Sequence, residues 1–307
     1  MGSNDRVTYH ARAAAFMVGA VLMFAIGDTL TKLATQRSDI VPVLFIRAAA
    51  GLTIIYIFSF FSKIEIPKRI IYDPLLIARA FLFVATIGLF ALGFKYSSFT
   101  GFYIVFFVIL PCSAFVVDWY IFKKKPAISS ILPIALMLCG IIFVHRQNYM
   151  DAFQPASIIS AATAAAYATY LGFSSYINEK RTYNPLAQVV PNFAYGGFVL
   201  LLLSAIAPDS RTNLFEIILS PNSFVGIILA GFFSTSGLIL LNRATAYDSA
   251  GRIAPYEYTV VIYAVFIDNY LFGVPVTIDL VIGAVVVATG AIWLSKIHQT
   301  EPSPRQD

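Results

Sequence analysis

Apolar residues run along this chain in stretches of about twenty, each closed by a short polar or basic break. In order, the stretches are Ala13 to Ala34, Val41 to Phe61, Leu75 to Phe94, Thr100 to Phe122 and Ser129 to His145, then Ala156 to Ile177, Leu186 to Ala207, Ser223 to Leu241, Ile253 to Phe272 and Val276 to Ser295. About twenty residues is the helical length that crosses the hydrocarbon of a bilayer, where every backbone polar group must be satisfied within the segment. The pattern therefore predicts an all-α integral membrane protein of about ten transmembrane helices, with short loops and no sizeable soluble domain. The first stretch is longer than a secretory leader's apolar core and ends in Asp28 and Lys32, so it reads as a retained span. Polar tails are expected at 1–12 and 298–307, the second disordered.

The ninth stretch departs from plain apolarity in a periodic way. Glu257, Val261, Ala264 and Asp268 recur at helical spacing and fall on one face, flanked by Tyr256 and Tyr263. Carboxylates in hydrocarbon are expensive and usually face a protein interior or a wet cavity. Two readings stand: the face lines a pathway, or the two acids end the helix and close interhelical salt bridges. An internal match adds to the first. Asp118-Trp-Tyr-Ile-Phe122 pairs with Asp268-Asn-Tyr-Leu-Phe272, followed by Pro126 and Pro275 and by Gly140 and Gly290. Five stretches precede the midpoint and five follow it. Repeats with an odd number of helices enter the membrane from opposite sides, which is the plan of inverted-repeat carriers. The expected halves are 1–146 and 147–307, and the same offset matches Phe107, Pro111, Ala114 and Asp118 to the acidic face of the ninth helix.

Composition agrees: of 307 residues, 59% are hydrophobic and 12% charged, outside the range of soluble domains. The net charge of +5 arises from loop lysines and arginines rather than from a nucleic-acid surface. Arg6, Arg12, Lys63, Lys68, Arg69, Lys123 to Lys125, Lys180, Arg181, Arg243, Arg252 and Lys296 alternate onto one side, against chiefly Lys32, Arg37, Lys95, Arg146 and Arg211 on the other. The positive-inside rule makes the first side, with both termini, cytoplasmic. Cys112 and Cys139 lie in apolar runs and form no metal or disulfide pattern. His10, His145 and His298 are scattered at span ends, and no catalytic cluster or phosphate loop occurs. No enzyme activity, cofactor, metal or nucleic-acid partner is expected. A channel would show a filter or a ring of like charges, whereas the signs here are mixed.

Charged positions form two expected layers: Asp28, Lys32, Arg47 and Asp268 toward the outer side, Arg79, Asp118, Arg252 and Glu257 toward the inner. They read either as gates, whose ion pairs form on the closed side, or as static and snorkelling side chains, the latter favoured for Lys32 and Arg79. Asp28 and Arg47 are the better candidates for solute contact. The sixth stretch carries Thr163, Tyr167, Tyr170 and Ser174 on one face, and the two stacked phenols suit a planar or cationic solute. Tyr103, Phe107, Trp119, Asn192 and Tyr195 are weaker candidates, with Tyr256 and Glu257 completing the binding set and Lys32, Asp118, Glu257 and Asp268 the gating or coupling set. Glu257 would either exchange protons with the solute or compensate a cationic one.

These residues also carry a family resemblance. Ala-Pro-Tyr-Glu-Tyr at 254–258, Leu-Phe-Gly at 271–273, Pro275, Gly283 and Gly290, with Asp28-Thr-Leu-Thr-Lys32, Phe45-Ile-Arg47, Ala91-Leu92 and Pro111, resemble EamA-type carriers of the drug/metabolite transporter superfamily, in the branch of S-adenosylmethionine and riboflavin uptake carriers. The resemblance implies two inverted five-helix repeats, a central substrate cavity and alternating access. It implies a secondary active transporter of a small organic metabolite, cationic, zwitterionic or aromatic, in the bacterial cytoplasmic (inner) membrane, as a monomer or homodimer. A drug or amino-acid exporter of the same fold, and a non-transporting sensor or channel, are the alternatives. Many members carry Glu directly after the Phe-Gly of each repeat, whereas here Lys123 follows Phe122 and Val274 follows Gly273, so no role tied to that Glu carries over.

Overall fold

The computed structural model describes residues 3–120, 129, 131–144, 155–181, 183–206, 214, 216–247 and 256–300. Among them there are helices and no strands. The main helices are α1 (Ser3–Thr35), α2 (Ile40–Ser62), α3 (Pro74–Tyr96), α4 (Phe99–Tyr120), α5 (Ile131–Val144), α6 (Pro155–Lys180), α7 (Val190–Ile206), α8 (Pro221–Tyr247), α9 (Thr259–Phe272) and α10 (Ile278–Thr300). Six are long and apolar enough to cross a membrane: Ala11–Thr35, Ile40–Ser62, Pro74–Tyr96, Pro155–Asn178, Ala187–Ile206 and Pro221–Thr245. Four shorter apolar helices accompany them: Phe99–Ala114, Ile131–Gly140, Thr259–Phe272 and Ile278–Gly290.

Three boundaries differ from expectation. Helix α1 already runs from Ser3, so most of the expected polar tail continues the span as helix, because extending a formed helix costs far less than nucleating one. Helix α10 likewise runs on to Thr300. In the expected ninth span, of which 253–255 lie outside the described residues, a helical Tyr256–Glu257 and a turn at Tyr258 precede regular α9 at Thr259. It ends at Gly273, whose φ of 66° is the left-handed cap that a side chain disfavours.

The chain divides into two compact units. The first comprises Met1–Val18, Tyr96–Gly172 and Ala244–Asp307, and so contains α4, α5, α9, α10 and most of α6. Its helices pair α5 with α10 and α4 with α9. Glycines let α5 and α10 approach until no methyl group would fit. A Cβ on Gly140 would lie 2.7 Å from Val287 Cγ2 and 3.0 Å from the Gly283 carbonyl, and one on Gly290 would lie 2.5 Å from Met137 Cγ and 2.9 Å from the Pro133 carbonyl. These are the same contact made twice: Pro133, Met137 and Gly140 lie 150 positions before Gly283, Val287 and Gly290. The offset is that of Asp118 and Asp268. Rising numbers on α5 meet falling numbers on α10, so the pair is antiparallel. Helices α4 and α9 are antiparallel too, with Phe99 beside Asp268 and Phe107 beside Tyr258. Val108, Met137 and Val287, with Tyr258 packed on them, form one buried cluster, in which both pairs of 150-offset counterparts meet. A local two-fold relation therefore runs through that cluster.

The second unit, Gly19–Lys95 and Phe173–Arg243, holds α2, α3, α7 and most of α1 and α8. Here α2 packs on α7. A Cβ on Gly27 of α1 would meet Ser234 Oγ of α8 at 2.5 Å, and one on Gly231 would meet the Arg47 carbonyl at 2.7 Å. Small residues bring backbones together in this way where lipid tails supply no hydrophobic drive between helices.

Candidate functional site

The acidic face expected on the ninth helix is turned inward in the first unit. Glu257 (6% exposed), Val261, Ala264 and Asp268 are all buried, while Ile262, Phe266 and Tyr270 on the opposite side are exposed. Glu257 stands two residues before regular α9, next to Tyr258, which lies beside Phe107 about a third of the way along α4 from its Phe99 end.

Proline builds the surroundings of this carboxylate. Pro111 has no N–H, so the Phe107 carbonyl one turn earlier loses its helical donor. The Tyr258 hydroxyl donates to that carbonyl instead, at 3.2 Å, and the Phe107 and Tyr258 rings lie 4.7 Å apart. Tyr167 of α6 donates a hydrogen bond to Glu257. Around them runs a continuous set of rings: Tyr103 stacks on Phe107 (5.9 Å), Phe106 lies 5.6 Å from Tyr167, and Tyr167 stacks on Tyr170 (6.2 Å, 18°). Ser160 fixes α6 to α4 by donating to the Phe102 carbonyl at 2.7 Å. The structure thus brings together Tyr103, Phe107, Tyr167, Tyr170 and Glu257 in one unit, with Tyr256 partly buried beside them.

Asp268 has a different occupation. Its two carboxylate oxygens accept from the first amides of α4, Phe99 N at 3.0 Å and Thr100 N at 2.6 Å, so it caps a helix 169 residues away. Its counterpart Asp118 lies in α4, with its side chain outside the described residues, as are Lys123 and Arg252. Trp119 is exposed on the same helix.

Asp28, Arg47, Lys32 and Asn192 are placed in the second unit. Arg47 donates to Asp28 Oδ1 at 3.1 Å and to Thr31 Oγ1 at 2.8 Å, all three buried. Lys32 is buried near the end of α1 and Asn192 is buried in α7. Arg79 does not snorkel: it is 0% exposed and donates to the side chain (3.3 Å) and backbone carbonyl of Gln188, which in turn donates to Asn178 at 2.8 Å. Nearby, Asp73 caps α3 through the Leu75 amide (3.0 Å) and accepts from Arg181 Nε (3.1 Å) and the Tyr183 hydroxyl (3.0 Å). Burial pushes the Asp73 carboxyl up, but those three hydrogen bonds and the Arg181 charge outweigh it and hold the group below its ordinary range. The Tyr195 hydroxyl, one of the weaker candidates, donates to the Ile71 carbonyl at 2.6 Å, a structural use.

A family model described as the EamA-like transporter family matches the chain twice, over residues 11–146 and 155–296. The chain belongs to that family. It is a multi-pass membrane protein of the drug/metabolite transporter type, in a family whose members are transporters rather than enzymes, and the family domain occurs twice along it. A solved crystal structure, described only as that of a protein, is similar to this EamA-like chain with a TM-score of 0.67 at 9% sequence identity, over 94% of this chain and 98% of the other. At that identity the likeness is one of fold. Among curated proteins no sequence matches.

Three residues of this EamA-like chain that contact candidate residues, Tyr258 and Phe106 in the first unit and Gln188 in the second, escaped sequence reasoning. Tyr258 was legible in principle, because a proline at position 111 orphans the carbonyl at 107 and calls for a donor. Phe106, on the flank of the matched face, and Gln188, 109 residues from Arg79, left no local signal.

Proposed function

We propose that this protein is a secondary active transporter that moves a small organic metabolite by alternating access, with Glu257 at the centre of its solute site. The observation that carries the reading is the position of Glu257: a buried carboxylate, one residue from the cluster in which the 150-offset counterparts meet, in a chain of a transporter family. Asp268 lies eleven residues further on, which at 1.5 Å per residue is about 16 Å and close to half the hydrocarbon thickness. Carriers with inverted repeats bind solute and coupling ion near mid-depth, where the two repeats meet.

On this reading the chain forms ten spans in two inverted five-helix repeats, 1–146 and 147–307, with both termini cytoplasmic in a bacterial inner membrane. Lys32, Asp118 and Asp268, with Glu257, are the gating or coupling groups; Tyr103, Phe107, Tyr167, Tyr170 and Tyr256 are the solute contacts of the first unit, and Asp28, Arg47 and Asn192 are the candidates for solute contact in the second. The test is reconstitution in liposomes with a panel of metabolites, chosen by the rise each causes in the melting temperature of the purified protein. Glu257→Gln is expected to abolish concentrative uptake of the solute so found, while the variant still melts cooperatively. Unchanged uptake with unchanged pH dependence removes Glu257 from the mechanism.

A further inference from the structure

Away from Glu257, the first unit holds a cleft of about 440 Å³ lined by Arg12, Ala15 and Phe16 of α1 and Tyr247 at the end of α8. That volume falls within the range of small-molecule sites, roughly 300–1,000 Å³. The Phe16 and Tyr247 rings stack at 5.6 Å and 14°, tying the two helices together and giving the cleft an aromatic wall. Arg12 stands one turn before Phe16 and so shares its face of α1. Arg12 and Ala15 are exposed and Phe16 is half-buried.

The level of the cleft in the membrane decides what reaches it. The apolar span of α1 starts at Ala11 and that of α8 ends at Thr245. Arg12 and Tyr247 therefore stand where hydrocarbon gives way to headgroups, the level at which arginine snorkels and tyrosine is enriched. A ligand at this level meets a cation at its outer end and a methyl and two rings below it. The guanidinium is a planar fork of donors that matches a phosphate. Inorganic phosphate would use the fork and leave the rings idle, whereas a phospholipid uses both. A headgroup with its own ammonium brings a second positive charge beside Arg12, so the fit is to a lipid of net negative charge. The alternation of loop lysines and arginines leads us to expect this end on the cytoplasmic side, where anionic lipids set a negative surface potential.

We propose that this cleft binds one anionic phospholipid, its phosphate on the Arg12 guanidinium and the upper part of an acyl chain against Ala15, Phe16 and Tyr247. The lipid braces the start of α1 against the end of α8. The site is separate from Glu257, and its occupancy does not depend on the transport reading.

The test is titration of the full-length, delipidated protein in detergent with dioleoyl phosphatidylglycerol, dioleoyl phosphatidylcholine or inorganic phosphate. Melting temperature and the lipid retained in native mass spectra are the readouts. Phosphatidylglycerol is expected to bind about fivefold more tightly than phosphatidylcholine, the worth of one basic residue beside an anionic headgroup, and to raise the melting temperature. Inorganic phosphate should do neither. Arg12→Gln, at an exposed position, should remove the preference for phosphatidylglycerol. Tyr247→Ala keeps the charge and removes the ring, so it should weaken both lipids severalfold and leave their ratio unchanged. Lys68→Gln is the control, an exposed basic residue of the second unit that should leave the preference intact. Equal binding of the two lipids, an unchanged preference in Arg12→Gln, or an equal loss of preference in Lys68→Gln overturns the proposal, the last by showing diffuse attraction. A melting shift with inorganic phosphate as large as that with phosphatidylglycerol overturns the lipid in favour of a free anion.

Discussion

Replacing Gly140 and Gly290 by alanine, singly and together, tests the two-fold contact between α5 and α10. Alanine favours a helix over glycine by about 1 kcal/mol, so on propensity alone both changes stabilise. Packing opposes this. The new methyl at 290 would lie 2.5 Å from Met137 Cγ and 2.9 Å from a backbone oxygen, and that at 140 would lie 2.7 Å from Val287 Cγ2. Both approaches are short of ordinary carbon contact by about 1 Å, and Val287 is stiff at χ1. The helices must part, and overpacking of this kind costs about 1–3 kcal/mol. The net loss expected is about 0–2 kcal/mol for each change, a fall of up to several degrees in melting temperature, against a gain of about 1 kcal/mol where the methyl meets nothing. Once the first methyl has parted the helices, the second meets less resistance, so the double variant should lose about 0.5–1 kcal/mol less than the sum. Gly88→Ala and Gly226→Ala are the controls, since a Cβ at either position meets nothing within 4 Å. Differential scanning fluorimetry in detergent reads all five proteins. If Gly140→Ala and Gly290→Ala melt like the controls, or if their effects simply add, the close two-fold contact is wrong.

Three other perturbations follow from the described geometry. Asp268→Asn keeps the shape but turns an amide donor toward a backbone N–H of α4, so it should cost about 2–3 kcal/mol, seen as a lower melting temperature. Arg47→Met removes the guanidinium that buried Asp28 and Thr31 accept from and should cost about 3–5 kcal/mol, most of it recovered in the Asp28→Asn/Arg47→Met double variant; a double variant no better than the single would show that the pair is not the source. Because the Asp73 carboxyl is held below its unfolded value near 4, the stability it contributes is essentially complete about a unit above that pH and is lost as pH falls through the lower folded value; Asp73→Asn should flatten the acid limb of a melting-temperature profile below about pH 5 and leave the neutral region parallel to wild type.

The parts of this fold that were legible in the sequence are those with a period. The helices show as apolar runs of spanning length, and the buried face of α9 shows because Glu257, Val261, Ala264 and Asp268 share a helical spacing. The repeat shows because Asp-x-Tyr-x-Phe recurs at a fixed offset, and that offset reappears in the contacts of Gly140 and Gly290. Partnerships were not legible. Asp268 reads as an acid near a helix end, and nothing local says that it receives the Phe99 and Thr100 amides. Arg79 reads as a static or snorkelling side chain, and its acceptor was not legible because Gln188 is uncharged and belongs to the other half of the chain. Apolarity alone also does not reveal that a turn at Tyr258 separates Glu257 from regular α9.

The pairing of α5 with α10 also has a consequence for biosynthesis. The notch at Gly140 is filled by Gly283 and Val287, which leave the ribosome nearly 150 residues later. At about 5–20 residues per second that is a wait of roughly 8–30 s, during which α5 is inserted without its mate. A nascent chain arrested anywhere in that interval displays an unfilled glycine groove, which α10 then covers.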